Sequence, residues 1–240
     1  MFDMNSTIER IKMLCRQLWD NTPIVTRNLL AISFIAWLAD AVLMRMGIHL
    51  STYLGLVNIR FGILHGGLAF HIWQPLTYMF MHAGFSHWFF NMFAIWMFGM
   101  AIEREWGSRK YLFYYLACGL GAALCQEIVW QFTGGGVTIG ASGAVFGILA
   151  AFAWLFPEQK IFLLFIPIPI PARWFVGMYA VLELFGGVAS MSGDNIAHFA
   201  HLGGMITGLL ILWYWKNKNN RRFRKYESKD YSGYHYKDPS

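Results

Sequence analysis

The chain has 240 residues, of which 57% are hydrophobic, 18% aromatic and only 13% charged, whereas roughly a quarter of the residues in a soluble domain are charged. This composition excludes an ordinary soluble domain and predicts the lipid bilayer as a partner. The net charge of +6 does not indicate nucleic-acid binding, because the basic residues concentrate at the two ends and in short connectors and form no face interleaved with aromatic residues.

Apolar runs long enough to cross ~30 Å of hydrocarbon at ~1.5 Å per residue predict six helices. They lie near 29–46, 78–102, 108–132, 142–157, 171–189 and 195–215. The prolines of the run Ile-Pro-Ile-Pro-Ile-Pro forbid a continuous helix before Pro171, where we expect the fifth span to begin. The predicted fold class is an all-α integral membrane protein with a six-helix bundle. Its parts are a cytoplasmic segment 1–28, a membrane domain 29–215 and a basic cytoplasmic tail 216–240.

Lysine and arginine predict the orientation of these six spans. If both termini are cytoplasmic, all 19 Lys and Arg residues except Arg45 and Arg60 lie on the cytoplasmic side, as the positive-inside rule requires. The tail from Lys216 is too polar to pack and is expected to be mobile near the anionic leaflet. The long outer connector 47–77 contains several aromatic residues, which predict a structure at the membrane interface. These are Tyr53, Phe61, Phe70 and Trp73.

A serine at the start of the fourth span is the first candidate for chemistry, because polar groups at membrane depth are costly and therefore suggest a function. Ser142 lies in Gly140-Ala141-Ser142-Gly143, directly after a glycine-rich outer loop. A helix cap is the alternative role for this serine. The nucleophile elbow of soluble hydrolases does not apply, because it needs a glycine at position 144.

Histidines and an asparagine are the other candidates. His198 and His201 are three residues apart in the sixth span, so they share a helix face and a metal pair is conceivable. However, no His-Glu-x-x-His sequence supports a zinc protease, and we predict no metal and no cofactor. His82, His87 and Asn91 lie at the start of the second span, where His87 and Asn91 project from one face. Interhelical hydrogen bonding is their alternative role.

Two glycine pairs predict close packing of the fourth and sixth spans. Gly143-x-x-x-Gly147 directly follows Ser142, and Gly204-x-x-x-Gly208 lies just beyond His201. The two polar side chains are therefore expected near a helix contact.

A comparison of depths predicts that four polar residues share one layer of the membrane. From the helix rise, Ser142 and His201 each lie roughly 21 Å above the cytoplasmic ends of their spans. Asn91 and His87 lie roughly 18 Å and 24 Å above the cytoplasmic end of the second span. All four converge about 10 Å below the outer surface of a ~30 Å core, where hydrolysis would need a cavity open to water.

Taken together, these residues resemble the rhomboid family of intramembrane proteases over positions 70–210. The matching residues are His82, His87-x-x-x-Asn91, Glu103 with Gly107-Ser108, Gly140-Ala141-Ser142-Gly143 and His201-x-x-Gly204-x-x-x-Gly208. The resemblance implies a six-helix rhomboid-like bundle and a Ser–His dyad without an acidic third member.

The resemblance also implies roles for individual residues. Ser142 is the nucleophile and His201 the general base, chosen over His198 because of the glycine spacing that follows it; His198 remains the alternative. The Ser142 backbone N–H, His87 and Asn91 form an oxyanion hole, and substrate enters laterally near the fifth helix. The supporting residues are His82, Gly140, Gly143 and Gly204.

The resulting hypothesis is a serine endopeptidase that cleaves transmembrane or membrane-proximal segments of membrane-protein substrates. We expect a multi-pass protein of a cell membrane, specifically the bacterial cytoplasmic membrane. Two alternatives remain open. One is a transporter or channel, with Asp40, Glu127 and Glu183 along its path. The other is a proteolytically inactive rhomboid-like protein that binds transmembrane helices. The sequence assigns no partner to these three acidic residues.

Overall fold

The computed structural model describes residues 4–60, 69–163, 166–189 and 198–231, and helices make up most of this part of the chain. The helices are α1 (Met4–Asn21), α2 (Ile24–Met44), α3 (Leu50–Leu54), α4 (Gln74–Thr77), α5 (Phe85–Trp106), α6 (Ser108–Thr133), α7 (Ser142–Leu155), α8 (Ala172–Ala189) and α9 (His198–Tyr231). Within α5, Ile95–Gly99 forms a π-helical turn. Four short strands are β1 (Leu56–Val57), β2 (Val137–Thr138), β3 (Lys160–Leu163) and β4 (Ile166–Pro171).

Six of these helices lie at the six predicted spans. Within the described residues, α2, α5 and α6 are long and apolar enough to cross a membrane, and α7 is a shorter apolar helix. Helices α8 and α9 occupy the fifth and sixth predicted positions. The predicted helical membrane bundle is therefore confirmed, with two small sheets added to it.

The outward faces of the helices carry apolar side chains, as expected for a bundle surrounded by lipid. Helix α6 exposes Phe113 and Leu124, and α8 exposes Leu182 and Phe185. Exposure of such an apolar surface to water would be unfavourable. Helix α7 is different, because ten of its 14 residues are buried. It is thus the central helix of the bundle, and Ser142 stands at its start.

The first two spans begin at other residues than predicted. Helix α2 begins at Ile24, directly after Pro23, because a proline is compatible with a helix start but not with a helix interior. Helix α5 begins at Phe85 instead of 78, since Tyr78–Phe80 forms a separate 3-10 turn. The extended backbone of Gly84 then leads into α5.

The proline-rich segment before the fifth span forms a hairpin, where the sequence predicted only the absence of helix. Strands β3 and β4 are antiparallel, with Lys160 opposite Pro171 and Ile161 opposite Ile170. A two-stranded sheet leaves one edge of β4 unpaired, and prolines are tolerated on such an edge because they have no N–H to donate. Helix α8 then begins at Ala172, as the prolines predicted.

Residues 216–231 of the predicted tail are helical. Helix α9 continues without a break to Tyr231, because adding residues to an existing helix requires much less ordering than starting one. The predicted boundary between membrane domain and tail therefore falls inside a helix. The predicted start of the sixth span at 195–197, Phe61 of the outer connector, and the tail beyond Tyr231 lie outside the described residues.

A buried carboxylate at the end of α5 joins the starts of two other helices, α2 and α6. Glu103 Oε1 accepts from the Val25 backbone N–H at 2.9 Å and from the Ser108 hydroxyl at 2.6 Å. Its Oε2 accepts from the backbone and side chain of Thr26, both at 2.7 Å. The first N–H groups of a helix lack partners within it and favour negative charge. Glu103 with Ser108 thus holds α2, α5 and α6 together.

Glycines bring α7 and α9 into backbone contact beside the candidate site. A side chain at Gly204 would collide with the carbonyl oxygen of Gly143. A side chain at Gly147 would lie 3.2 Å from the carbonyl oxygen of Gly204 and would also collide with Cys118 of α6. The predicted close packing of α7 and α9 is confirmed for these three glycines. Gly208 instead packs on Tyr114 of α6.

Candidate active site

Ser142 and His201 meet between α7 and α9. Ser142 Oγ lies 2.8 Å from His201 Nε2, which is hydrogen-bond distance. Ser142 is the first residue of α7, Ala141 occupies the cap position, and no side chain makes a capping hydrogen bond. Ser142 therefore does not act as the helix cap that was its alternative role. The contact between Ser142 and His201 agrees with the common depth predicted for them.

Two further contacts orient the His201 ring. It stacks on Phe146 of α7, with ring centres 4.6 Å apart and planes 7° from parallel. Its Nδ1 lies 2.9 Å from Glu183 Oε2 on α8. Because a carboxylate only accepts hydrogen bonds, Nδ1 carries the proton in the neutral ring, and the lone pair of Nε2 faces Ser142.

Glu183 corrects the implied absence of an acidic third member. Its Oε2 contacts His198 Nδ1 at 2.7 Å as well as His201 Nδ1 at 2.9 Å. The sequence signal was an acidic residue inside an apolar span, which marks a functional candidate. The sequence did not reveal the partner, because it does not show which side of α8 packs on α9.

His87 borders the same small space as Ser142. The Ala83 N–H donates to His87 Nδ1 at 3.4 Å, so the neutral ring carries its proton on Nε2. Gly140 has a φ of +128°, which disfavours any residue with a side chain. A methyl group added there would lie 2.7 Å from His87 Nε2 and 3.6 Å from Ser142 Oγ. Glycine at this position therefore keeps open a space that both side chains border.

His82 and Asn91 lie on either side of His87 along the chain. The rings of His82 and His87 meet edge to face with centres 5.1 Å apart, and His82 Nδ1 lies 3.2 Å from the Phe80 carbonyl oxygen. Asn91 is buried, and its amide nitrogen donates to the His87 carbonyl oxygen at 2.8 Å. An amide nitrogen has two hydrogens, so this bond uses only one of them.

The other two acidic residues within the spans have local partners. Asp40 Oδ1 accepts from the Leu50 N–H at 2.8 Å, which ties α2 to the outer connector. Glu127 Oε2 accepts from the Asn58 amide at 3.3 Å and from the Ile59 N–H at 3.5 Å. Asp40, Glu127 and Glu183 thus each bind different neighbours, and these contacts do not connect them into one path.

This fold and this site define a class: helical, multi-pass membrane proteins with a serine and a histidine in hydrogen-bond contact between two helices. The Rhomboid domain matches residues 69–218, which is more than half of the chain. The chain belongs to the rhomboid family.

Several relatives are similar over this same region. "Rhomboid protein 1, mitochondrial" of Saccharomyces cerevisiae is 34% identical over 140 residues, which cover 56% of this chain and 39% of that protein. "Rhomboid protease GluP" of Bacillus subtilis is 33% identical over 137 residues, covering 57% of this chain and 24% of that protein. "Putative rhomboid protease YdcA" of the same organism is 29% identical over 157 residues, covering 63% and 71%. The chain thus spans less than half the length of the first two relatives.

Proposed function

We propose that this chain is an intramembrane serine endopeptidase that cleaves transmembrane or membrane-proximal segments of membrane proteins. The observation that carries the proposal is the 2.8 Å contact between Ser142 Oγ and His201 Nε2. Membership of the rhomboid family supports it, as do the names of the two Bacillus subtilis relatives, one called a rhomboid protease and the other a putative rhomboid protease.

In the proposed reaction, Ser142 Oγ attacks the carbonyl carbon of the scissile peptide bond while His201 Nε2 takes the hydroxyl proton. The resulting tetrahedral intermediate collapses, the C–N bond breaks, and His201 returns the proton to the leaving amine. Water then attacks the acyl-enzyme ester with His201 again as the base. This second half restores the serine hydroxyl and releases the new carboxyl end.

Glu183 acts as a positioning residue in this proposal. Its carboxylate accepts the His201 Nδ1 proton at 2.9 Å, which keeps the Nε2 lone pair directed at Ser142. The same negative charge stabilises the imidazolium that forms when His201 takes the serine proton, as in soluble serine proteases.

The oxyanion of the tetrahedral intermediate is proposed to form in the space beside Gly140. His87 Nε2–H, the second Asn91 amide hydrogen and the Ser142 backbone N–H are the donors. Fixed donors of this kind stabilise developing charge strongly where water is scarce. The start of α7 adds the positive end of a helix dipole at the same point.

Substrate is proposed to approach laterally beside α8, which exposes Leu182 and Phe185, side chains suited to contact with an apolar segment. We place the protein in a bacterial cytoplasmic membrane, which the two relatives from Bacillus subtilis support.

Cleavage of a purified reporter protein with one transmembrane segment, reconstituted with the enzyme in liposomes, tests the proposal. Ser142→Ala and His201→Ala are expected to abolish cleavage, because each removes an atom that the chemical step requires. Ser142→Ala is also expected to abolish labelling by a fluorophosphonate probe. Ser51→Ala, in the outer connector, is the matched control and retains both activities.

Cleavage or labelling that persists in Ser142→Ala would contradict the proposal. Absence of both in the unchanged protein, with the reporter correctly inserted, would instead favour an inactive relative that binds transmembrane helices.

A further inference from the structure

We propose that Glu183, His198 and His201 form an inhibitory binding site for a divalent transition-metal ion such as Zn²⁺. This inference rests on the proposed function, because the ion would regulate the same catalytic base. The three residues come from two helices, α8 and α9, which meet at this point.

The ligand set fits zinc. Each residue offers one ligand atom, and the three atoms lie within 4.8 Å of one another. Imidazole nitrogen and carboxylate oxygen are common zinc ligands, and three protein ligands with a fourth position for water form a usual open site.

The existing distances need only a small expansion to admit the ion. The two Nδ1 atoms lie 2.7 Å and 2.9 Å from the same Glu183 oxygen. Bonds of ~2.1 Å in a tetrahedral site separate neighbouring ligand atoms by about 3.4 Å. Lengthening these two contacts by about 0.7 Å and 0.5 Å brings each nitrogen to that separation from the oxygen, and the ion then takes the place of the hydrogens between them.

Packing orients the ligands and leaves them accessible. The side chains of Glu183, His198 and His201 retain 12–13% of their exposure, so the group is not sealed. Gly186, one turn after Glu183, lies against the His198 ring, and a methyl group added there would approach that ring to 2.6 Å. The small residue lets α8 come close enough for Glu183 to reach both histidines.

Coordination would inactivate His201 through its tautomer. A metal bound at Nδ1 uses the lone pair of that nitrogen, so the proton of the neutral ring must move to Nε2. Nε2 lies 2.8 Å from Ser142 Oγ, and once protonated it cannot take the serine proton. The ion also removes Glu183 from its positioning role. The site is thus inhibitory without any direct contact between the ion and Ser142.

The donor set also predicts which ions inhibit. Imidazole ligands suit Zn²⁺, Cu²⁺ and Ni²⁺, whereas Mg²⁺ and Ca²⁺ prefer sites made of oxygen ligands. Millimolar Mg²⁺ is therefore expected to leave activity unchanged.

Binding is tested on the Ser142→Ala protein, purified with a tag that contains no histidine. Titration of Zn²⁺ against a chromophoric chelator is expected to show one site per chain. Introducing Glu183→Gln or His198→Gln into the Ser142→Ala protein should weaken Zn²⁺ binding by about 10-fold or more. Even groups that only hydrogen-bond to metal ligands contribute about 10–100-fold to metal affinity. His49→Ala, which changes an exposed histidine of the outer connector, is the matched control and should bind normally. Equal binding by all these proteins, each eluting as a single folded species, would overturn the site.

Inhibition is tested on the protein with Ser142 intact. Zn²⁺ is expected to stop reporter cleavage reversibly, with recovery on adding EDTA. The activity of His198→Gln is expressed relative to the same variant without metal. The Zn²⁺ concentration that halves this activity should be about 10-fold or more higher than for the unchanged protein. Cleavage that Zn²⁺ does not affect would overturn the inference and leave the proposed function standing. Zinc binding without any cleavage would contradict the proposed function and the inhibitory role, but not the site.

Discussion

At the scale of single residues, Glu183 determines which ring nitrogen of His201 carries the proton. A histidine without a carboxylate partner can carry its one proton on either nitrogen, and only one arrangement leaves Nε2 free to act as a base. The 2.9 Å contact with Glu183 selects that arrangement. The contact thus adds a glutamate beside the serine and the histidine that the sequence predicted.

Glu183→Gln is expected to lower kcat by about 10-fold or more with little change in KM, because a neutral amide does not stabilise the imidazolium of the transition state. Steady-state cleavage of the reporter measures both constants. Glu105→Gln, at an exposed position near the end of α5, should match the unchanged protein. A raised KM with an unchanged kcat would show that Glu183 acts on substrate binding instead.

Asn91→Ala is expected to lower kcat by about 100-fold, as does the loss of one oxyanion donor in soluble serine proteases. His87→Ala should act similarly, because its Nε2 borders the space beside Gly140. Both variants keep Ser142 and His201, so the measurement is again kcat for the reporter. A loss below about threefold, under 1 kcal/mol of barrier, would remove that residue from the proposed oxyanion hole.

At the scale of helices, the separation between α7 and α9 determines whether Ser142 and His201 can meet. Gly204 leaves no room for a side chain against the Gly143 carbonyl. A methyl group must push the backbones apart, and protein interiors accommodate such changes poorly. The hydrogen bond between Ser142 and His201 depends on this backbone contact.

Gly204→Ala is therefore expected to lower both activity and thermal stability, the latter by about 1–3 kcal/mol. Gly177→Ala is the matched control: it is also a glycine in a helix, but a methyl group there meets nothing within 4 Å. That substitution should be neutral or stabilising by up to about 1 kcal/mol. Thermal unfolding in detergent and reporter cleavage compare the two. Equal behaviour of the two variants would contradict the role given to the contact between α7 and α9.

At the scale of the whole molecule, the basic residues predict an orientation in the membrane. In the predicted arrangement, all of the 19 Lys and Arg residues except Arg45 and Arg60 belong to segments assigned to the cytoplasmic side, as the positive-inside rule expects. The candidate site then lies nearer the outer surface, because Ser142 starts α7 directly after an outer loop.

A membrane-impermeant maleimide applied to intact cells tests this orientation. Tyr53→Cys, at an exposed position in the outer connector, should gain labelling relative to the unchanged protein. Glu105→Cys should be labelled only after the membrane is opened. The reverse pattern would place both termini outside.

The sequence by itself determined roughly where the six main helices lie, and it predicted the height of each polar side chain along its helix. A helix rises by a fixed ~1.5 Å per residue, so position along the chain converts directly to height in the membrane. Ser142 and His201 could be matched in this way without knowing any packing. The glycine pairs also predicted which helices approach closely, because only small residues permit that contact.

Only the tertiary structure decided which side chains at one height face each other. The contact of Glu183 with His198 and His201 depends on how α8 is rotated against α9. The β3–β4 hairpin likewise depends on pairing between segments, which the pattern of prolines does not specify. Rotation and neighbour choice result from many weak contacts summed over several helices, whereas height follows from the geometry of one helix alone.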